Sequence, residues 1–166
     1  MKFDLKDYLT PEDTKGKYIF WDLDGTLAPY RFNGHISAND GTQNGASIEE
    51  TNNGIFLERL PSKHMKHVVS SCGSKENFII SHVLSQKEID DKTAWLDKHF
   101  PTFKKKLFVL DYGPKYERIL DYCKENKIDL KDVIFVDDVI SYLIDAELNG
   151  ICSYHISSFL DWDYFD

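Results

Sequence analysis

A chain of 166 residues has the length of one domain, and 20 basic against 28 acidic side chains give a formal charge of −8 that excludes binding to a nucleic-acid backbone through a general positive field. With 42% hydrophobic and 14% aromatic residues it can bury a core without disulfides or a structural metal, which excludes the disordered and fibrous classes. Cys72, Cys123 and Cys152 are isolated, and no apolar run reaches membrane-spanning length; reduced thiols in a soluble, cytoplasmic domain over 1–166 are predicted.

In chain order, the first predicted strand is Tyr18 to Trp21, apolar and ended by Asp22. The stretch from Pro29 to Asn53, rich in Asn, Gly, Ser and Thr, is the least regular and reads as a flap or surface insertion, within which Ser47 and Glu50 have capping-box spacing. Further strands are predicted at His67 to Ser70, Leu107 to Leu110, Val133 to Val136 and Ile151 to Ile156. Ser85 with Glu88 predicts a helix start. Tyr116, Ile119, Leu120 and Cys123 share one helical face, as do Ile140, Leu143, Ile144 and Leu148, and Gly150 stands where a helix C-terminal glycine belongs. Strands alternating with helices predict an α/β fold, a doubly wound three-layer parallel sheet of Rossmann-like type, whose ligands sit beyond the carboxyl ends of the strands.

The chemistry-bearing segment is the exit of the first strand, Asp22-Leu23-Asp24-Gly25-Thr26. Two carboxylates there can both face the crevice if the backbone turns at Gly25, and their repulsion calls for a cation. Magnesium, which prefers oxygen ligands, meets that demand. A second acidic pair, Asp137 and Asp138, follows the strand Val133 to Val136. Between them, Ser70 and Ser71 end a predicted strand, and Lys115 opens a predicted helix, with Lys92 as its alternative.

These elements, in this order from about Tyr18 to Ile156, resemble the four motifs of the haloacid dehalogenase-like superfamily, most of whose members are phosphatases. The resemblance implies a magnesium-dependent phosphohydrolase in which Asp22 forms an aspartyl-phosphate and Asp24 acts as general acid and base. It implies phosphate contacts from Thr26, Ser70, Ser71 and Lys115, and a metal site of Asp22, Asp24, Asp138 and Asp137, with Asp138 as the inner ligand and Asp137 acting through water. Family members with a Gly-Asp fourth motif carry an Asp where Tyr142 stands here, so the double-Asp form is implied. The interval 29–64 has room for a small flap or cap, with Tyr30, Arg31 and His35 as its residues of interest. The crevice is then open to a bulky phosphate or covered by a partner subunit, and the number of subunits is left open.

A phosphorylated small molecule is the expected substrate, and Lys92, Trp95, Leu96 and Phe100 ahead of the double Asp have a layout similar to small nucleotidases, which suggests nucleoside monophosphates. Two other readings compete: a catalytically silent relative that binds metal or a partner, and a response-regulator receiver. In receivers the acidic pair ends the first strand and the phospho-acceptor comes later, the reverse of the order here. His64 and His67 lack the Glu of a helical zinc-protease pattern, and Cys72 lacks an identifiable His and Asn partner.

Overall fold

The computed structural model of the chain describes residues 9–29 and 53–162. Among these residues a fully parallel five-stranded sheet forms: β1 (Tyr18–Trp21), β2 (Glu76–Val83), β3 (Lys105–Leu110), β4 (Val133–Asp137) and β5 (Cys152–His155), in the spatial order β3-β2-β1-β4-β5. The helices are α1 (Ile55–Glu58), α2 (Lys63–Ser71), α3 (Gln86–His99), α4 (Lys115–Asn126) and α5 (Ile140–Leu148). The predicted α/β architecture is the one observed. Among the described residues no helix is long and apolar enough to cross a membrane.

The period-two alternation of each strand divides the core. Ile19, Trp21, Ile79, Ile134 and Val136 face one layer, with Met65 and Val68 of α2, Trp95 and Leu96 of α3, and the aromatic residues Phe159 and Trp162. Phe20, Phe78, Ile80, Val133 and Phe135 face the other, with Ile119 and Cys123 of α4 and Leu143 and Ala146 of α5. Phe159 and Trp162 thus pack on the sheet side of this layer: Phe159 lies 5.2 Å from the Trp21 ring, and the Trp162 indole donates to the Leu9 carbonyl at 3.0 Å.

Two expectations are corrected. His67 to Ser70 is not a strand but the last part of α2, because Met65, Val68 and Val69 recur at helical spacing on the buried side and Ser62 caps the helix by accepting from the Met65 amide. The strand in question is Glu76–Val83, which pairs with β1 from Tyr18↔Glu76 to Trp21↔Ile79. In α5, only Leu143 and Ala146 are buried; Ile140, Ile144 and Leu148 are exposed, since the sheet here ends at β5 and covers only a narrow stripe of the helix. The helix starts hold elsewhere: Ser85 accepts from the Glu88 amide at 3.2 Å, and Gly150 follows α5 with φ +80°. The Ser47–Glu50 start and the residues Tyr30, Arg31 and His35 lie outside the described residues.

The strand order reverses at β1. From it the chain moves out to β2 and β3, then returns across the sheet to β4 on the other side. The register Trp21↔Val136 sets the ends of β1 and β4 level, and the Asp22 amide donates to the Val136 carbonyl at 2.8 Å. Asp22 and Asp137 therefore meet at the switch point, where such sheets bind ligands.

Candidate active site

The alternation that sorts the core also sorts the polar residues at the carboxyl ends of the strands. Asp22 and Asp137 continue the face of Phe20 and Phe135, toward α4 and α5. There the first side chain of α4, Lys115, places its Nζ 2.6 Å from Asp22 Oδ1 and 2.7 Å from Asp137 Oδ2. All three are buried. Thr26 Oγ1 donates to Asp22 Oδ2 at 3.3 Å, and Asp137 Oδ1 accepts from the Val139 amide at 2.8 Å, at the start of α5.

Asp138 joins them from the other side of the turn. One carboxylate oxygen from each of Asp22, Asp137 and Asp138 lies within 4.8 Å of the others. Gly25 makes this possible in two ways. Its φ is +83°, and a Cβ at that position would collide with the Asp138 carboxylate, 2.5 Å from its Cγ.

On the opposite face of the sheet, Asp24 is held by two cations. Arg59, just after α1, places Nη1 2.7 Å from Asp24 Oδ1, and Lys92 of α3 places Nζ 2.6 Å from Oδ2. Lys92 is buried; its other partners are Glu88 Oε1 at 2.8 Å, the His82 carbonyl at 2.6 Å and Ser81 Oγ at 3.0 Å. Ser81, in β2, also donates toward Asp24 Oδ2 at 3.4 Å. The Phe56 ring of α1 backs both cations, 5.0 Å from the Arg59 guanidinium carbon and 4.5 Å from Lys92 Nζ.

The electrostatics of the two halves differ. Burial raises the Asp22 pKa well above the usual carboxylate range; Lys115 works against this, and Asp137, Asp24 and Asp138 add to it. Asp138 is pushed up to about 6, by burial first and then by Asp137. Burial opposes ionisation of Asp24 too, but Lys92 and Arg59 outweigh it and hold this carboxyl below its ordinary value. Burial disfavours the Lys115 ammonium, yet Asp22 and Asp137 raise its pKa above the usual lysine range. Three clustered carboxylates against one ammonium leave an excess of negative charge, and an all-oxygen donor set of this kind fits a hard divalent cation such as magnesium.

Of the sequence-derived candidates, Asp22, Thr26, Lys115, Asp137 and Asp138 come together, and Asp24 lies beside them with its carboxylate turned to Arg59 and Lys92 rather than into the acidic cluster. Ser70 and Ser71 do not join them. They end α2 at the opposite, amino end of the strands, where the Gly73 carbonyl accepts from the Gly16 amide ahead of β1, and the exposed Ser70 hydroxyl donates to the His67 carbonyl at 2.7 Å. The hydroxyl beside Asp24 is Ser81, absent from the candidates together with Arg59. Its signal was the apolar run Phe78-Ile79-Ile80 immediately before it, followed by the Ser85 helix cap.

A wall of rings rises from the Lys115 side. The Tyr142 ring lies 5.2 Å from Lys115 Nζ, His82 packs edge-on against Tyr142 at 5.2 Å, and Tyr112 lies 5.5 Å from His82. Nε2 of His82 donates to the Gly113 carbonyl at 2.7 Å.

Two solved structures from Streptococcus pneumoniae share this architecture. One, a haloacid dehalogenase-like family hydrolase, superposes with a TM-score of 0.54 at 15% identity, covering 89% of this chain and 90% of that one. The fold is that of the haloacid dehalogenase-like hydrolases. The other, described as a hydrolase, superposes with a TM-score of 0.53 at 12% identity over 84% of this chain and 92% of that one. No family model and no curated protein matches the chain. Within the haloacid dehalogenase-like fold, the paired acidic turns after β1 and β4 occupy the ends of the two adjacent central strands.

Proposed function

We propose that the protein is a phosphohydrolase that cleaves phosphomonoesters through a covalent phosphoryl group on Asp22. The observation that carries this reading is Lys115 Nζ, buried between Asp22 Oδ1 and Asp137 Oδ2, at 2.6 and 2.7 Å, beside a third carboxylate, Asp138. A nucleophilic carboxylate needs nearby positive charge to approach an anionic phosphate, and Lys115 supplies part of it. Asp22, Asp138 and Asp137 would hold magnesium, which when bound neutralises the remaining charge and polarises the phosphoryl oxygens.

In the first step an Asp22 oxygen bonds to phosphorus as the ester P–O bond breaks, and the departing oxygen takes a proton from Asp24. In the second, Asp24 takes a proton from water, whose oxygen attacks phosphorus and releases inorganic phosphate from Asp22. Arg59 and Lys92 keep Asp24 ionised at rest. An arriving phosphate competes for these cations and eases protonation of Asp24. Thr26 and Ser81 supply hydroxyls on either side of Asp22 and Asp24. The phosphate-contacting hydroxyl expected of Ser70 and Ser71 is in this reading Ser81.

The test is release of a chromogenic phenol from an aryl phosphate, with magnesium, with chelator, and by Asp22→Asn. Magnesium-dependent release that the variant loses is expected. Release unchanged in Asp22→Asn, or turnover persisting in chelator, would exclude this chemistry.

A further inference from the structure

The loop between β3 and α4 carries a side chain that its backbone does not favour. The Gly113 amide donates to the Leu110 carbonyl at 3.1 Å, closing a four-residue turn whose central residues, Asp111 and Tyr112, have φ of +51° and +55°. Positive φ at both central positions is the requirement of a type I′ turn, where Asn-Gly is preferred and glycine at the second position costs nothing. A tyrosine there is an outlier, and such strain concentrates at ligand sites. The strain gains only partial burial, because Tyr112 is 52% exposed.

Tyr112 extends the row of rings that begins at Lys115. Tyr142 covers the Lys115 ammonium, His82 stands edge-on to Tyr142, and Tyr112 rests on His82. Each ring is set by a different element: Tyr142 by α5, His82 by β2 and Tyr112 by the strained turn. His82 is further fixed by its bond to the Gly113 carbonyl in the same turn. The row thus runs from the lysine between Asp22 and Asp137 out to the exposed Tyr112, a wall of rings on one side of the carboxylate cluster.

We infer that this wall, with Tyr112 at its outer end, selects phosphomonoesters whose alcohol portion carries a planar aromatic group. The inference rests on the hydrolase reading above for the position of the phosphate. A ring attached to the ester stacks on the wall while the phosphate meets Lys115, whereas an aliphatic alcohol forgoes that contact. An aryl ester and a nucleoside monophosphate share this chemistry and differ in how far the ring lies from phosphorus.

The test compares phenyl phosphate, a nucleoside monophosphate and glycerol phosphate as substrates of the wild type, Tyr112→Gly and Tyr112→Phe. Tyr112→Gly removes the ring and relaxes the turn together, so a melting curve first establishes that the variant is folded. Its kcat/KM ratio of aromatic to glycerol ester should fall about tenfold, through KM, the change expected for one lost stacking contact. Tyr112→Phe should keep the ratio. Of the two aromatic substrates, the one that loses more identifies the ring position the wall takes. An unchanged ratio in the folded Tyr112→Gly variant would overturn the inference. Calorimetric binding of phenylphosphonate against methylphosphonate separates it from the hydrolase reading. Tighter phenyl binding that Tyr112→Gly abolishes, without turnover of any ester, upholds the wall and removes the hydrolase. Equal binding of the two phosphonates by the wild type removes the wall.

Discussion

Gly25 illustrates how closely single residues constrain the site. A side chain there meets both a φ of +83° and the Asp138 carboxylate, so alanine must either shift the turn or displace Asp138. Gly25→Ala is expected to lose about 1–3 kcal/mol of stability from the backbone alone. It should also lose most of the proposed phosphatase activity and the stabilisation expected from magnesium, because Asp138 leaves the cluster. Chemical denaturation with and without magnesium measures both; a variant that magnesium still stabilises to the wild-type extent would show that Asp138 does not need this glycine. Asp24 gives a second lesson at this scale. It is only two residues from Asp22, yet the backbone turns as it leaves β1 and delivers its carboxylate to the opposite face, into the grip of Arg59 and Lys92. Either lysine could be proposed from the sequence as the active-site cation, and the structure gives each a carboxylate: Lys115 takes Asp22 and Lys92 takes Asp24.

At the scale of the element, β2 decides which serine belongs to the site. Ser81→Ala is expected to lower kcat/KM about a hundredfold, the effect of removing one preorganised donor, while Ser70→Ala on α2 leaves turnover as it is. Steady-state kinetics on the two variants distinguishes them, and the opposite ranking would return the role to Ser70. The same strand marks where sequence reasoning succeeded and where it stopped. β1, β3, β4 and β5 were legible because their apolar runs are short and bounded by turn residues, and the acidic pairs were legible because each directly follows such a run. β2 was not, because its apolar run is interspersed with Asn77, Ser81 and His82. All three polar side chains are engaged in the fold. Asn77 accepts from the Trp21 indole at 2.8 Å, Ser81 serves Asp24, and His82 bonds the Gly113 carbonyl. The His-Val-Val run of α2 then resembled a strand more than the strand itself did. Arg59 was illegible for another reason, since its place depends on α1 packing beside α3, which no local pattern encodes.

For the whole molecule, the acidic cluster is expected to make stability depend on pH and, if it holds a metal as proposed, on metal as well. The Asp138 carboxyl, raised from 3.8 to about 6 in the fold, favours its uncharged form when no cation is present. Its contribution is therefore complete below the unfolded value and is lost as pH rises through about 6. The raised Asp22 pKa acts in the same direction. In chelator the melting temperature is expected to fall as pH is raised through this range, and added magnesium should reverse the fall. Asp138→Asn should flatten the metal-free profile. Melting curves that climb with pH in chelator, or that ignore magnesium above it, would contradict this account.

The position of β1 in the sheet also has a consequence in time. Of the five described strands, the one that ends at Asp22 is the first to be synthesised, but it lies between β2 and β4 and its far neighbour comes only at Val133–Asp137. A nascent chain thus carries Asp22 through most of its elongation without Lys115 or Asp137 to face it. On the proposed reading, chemistry can begin only once β4 has been made and the return across the sheet has closed. A chain ending before β4 lacks Asp137 and Asp138 and, on that same reading, is inert.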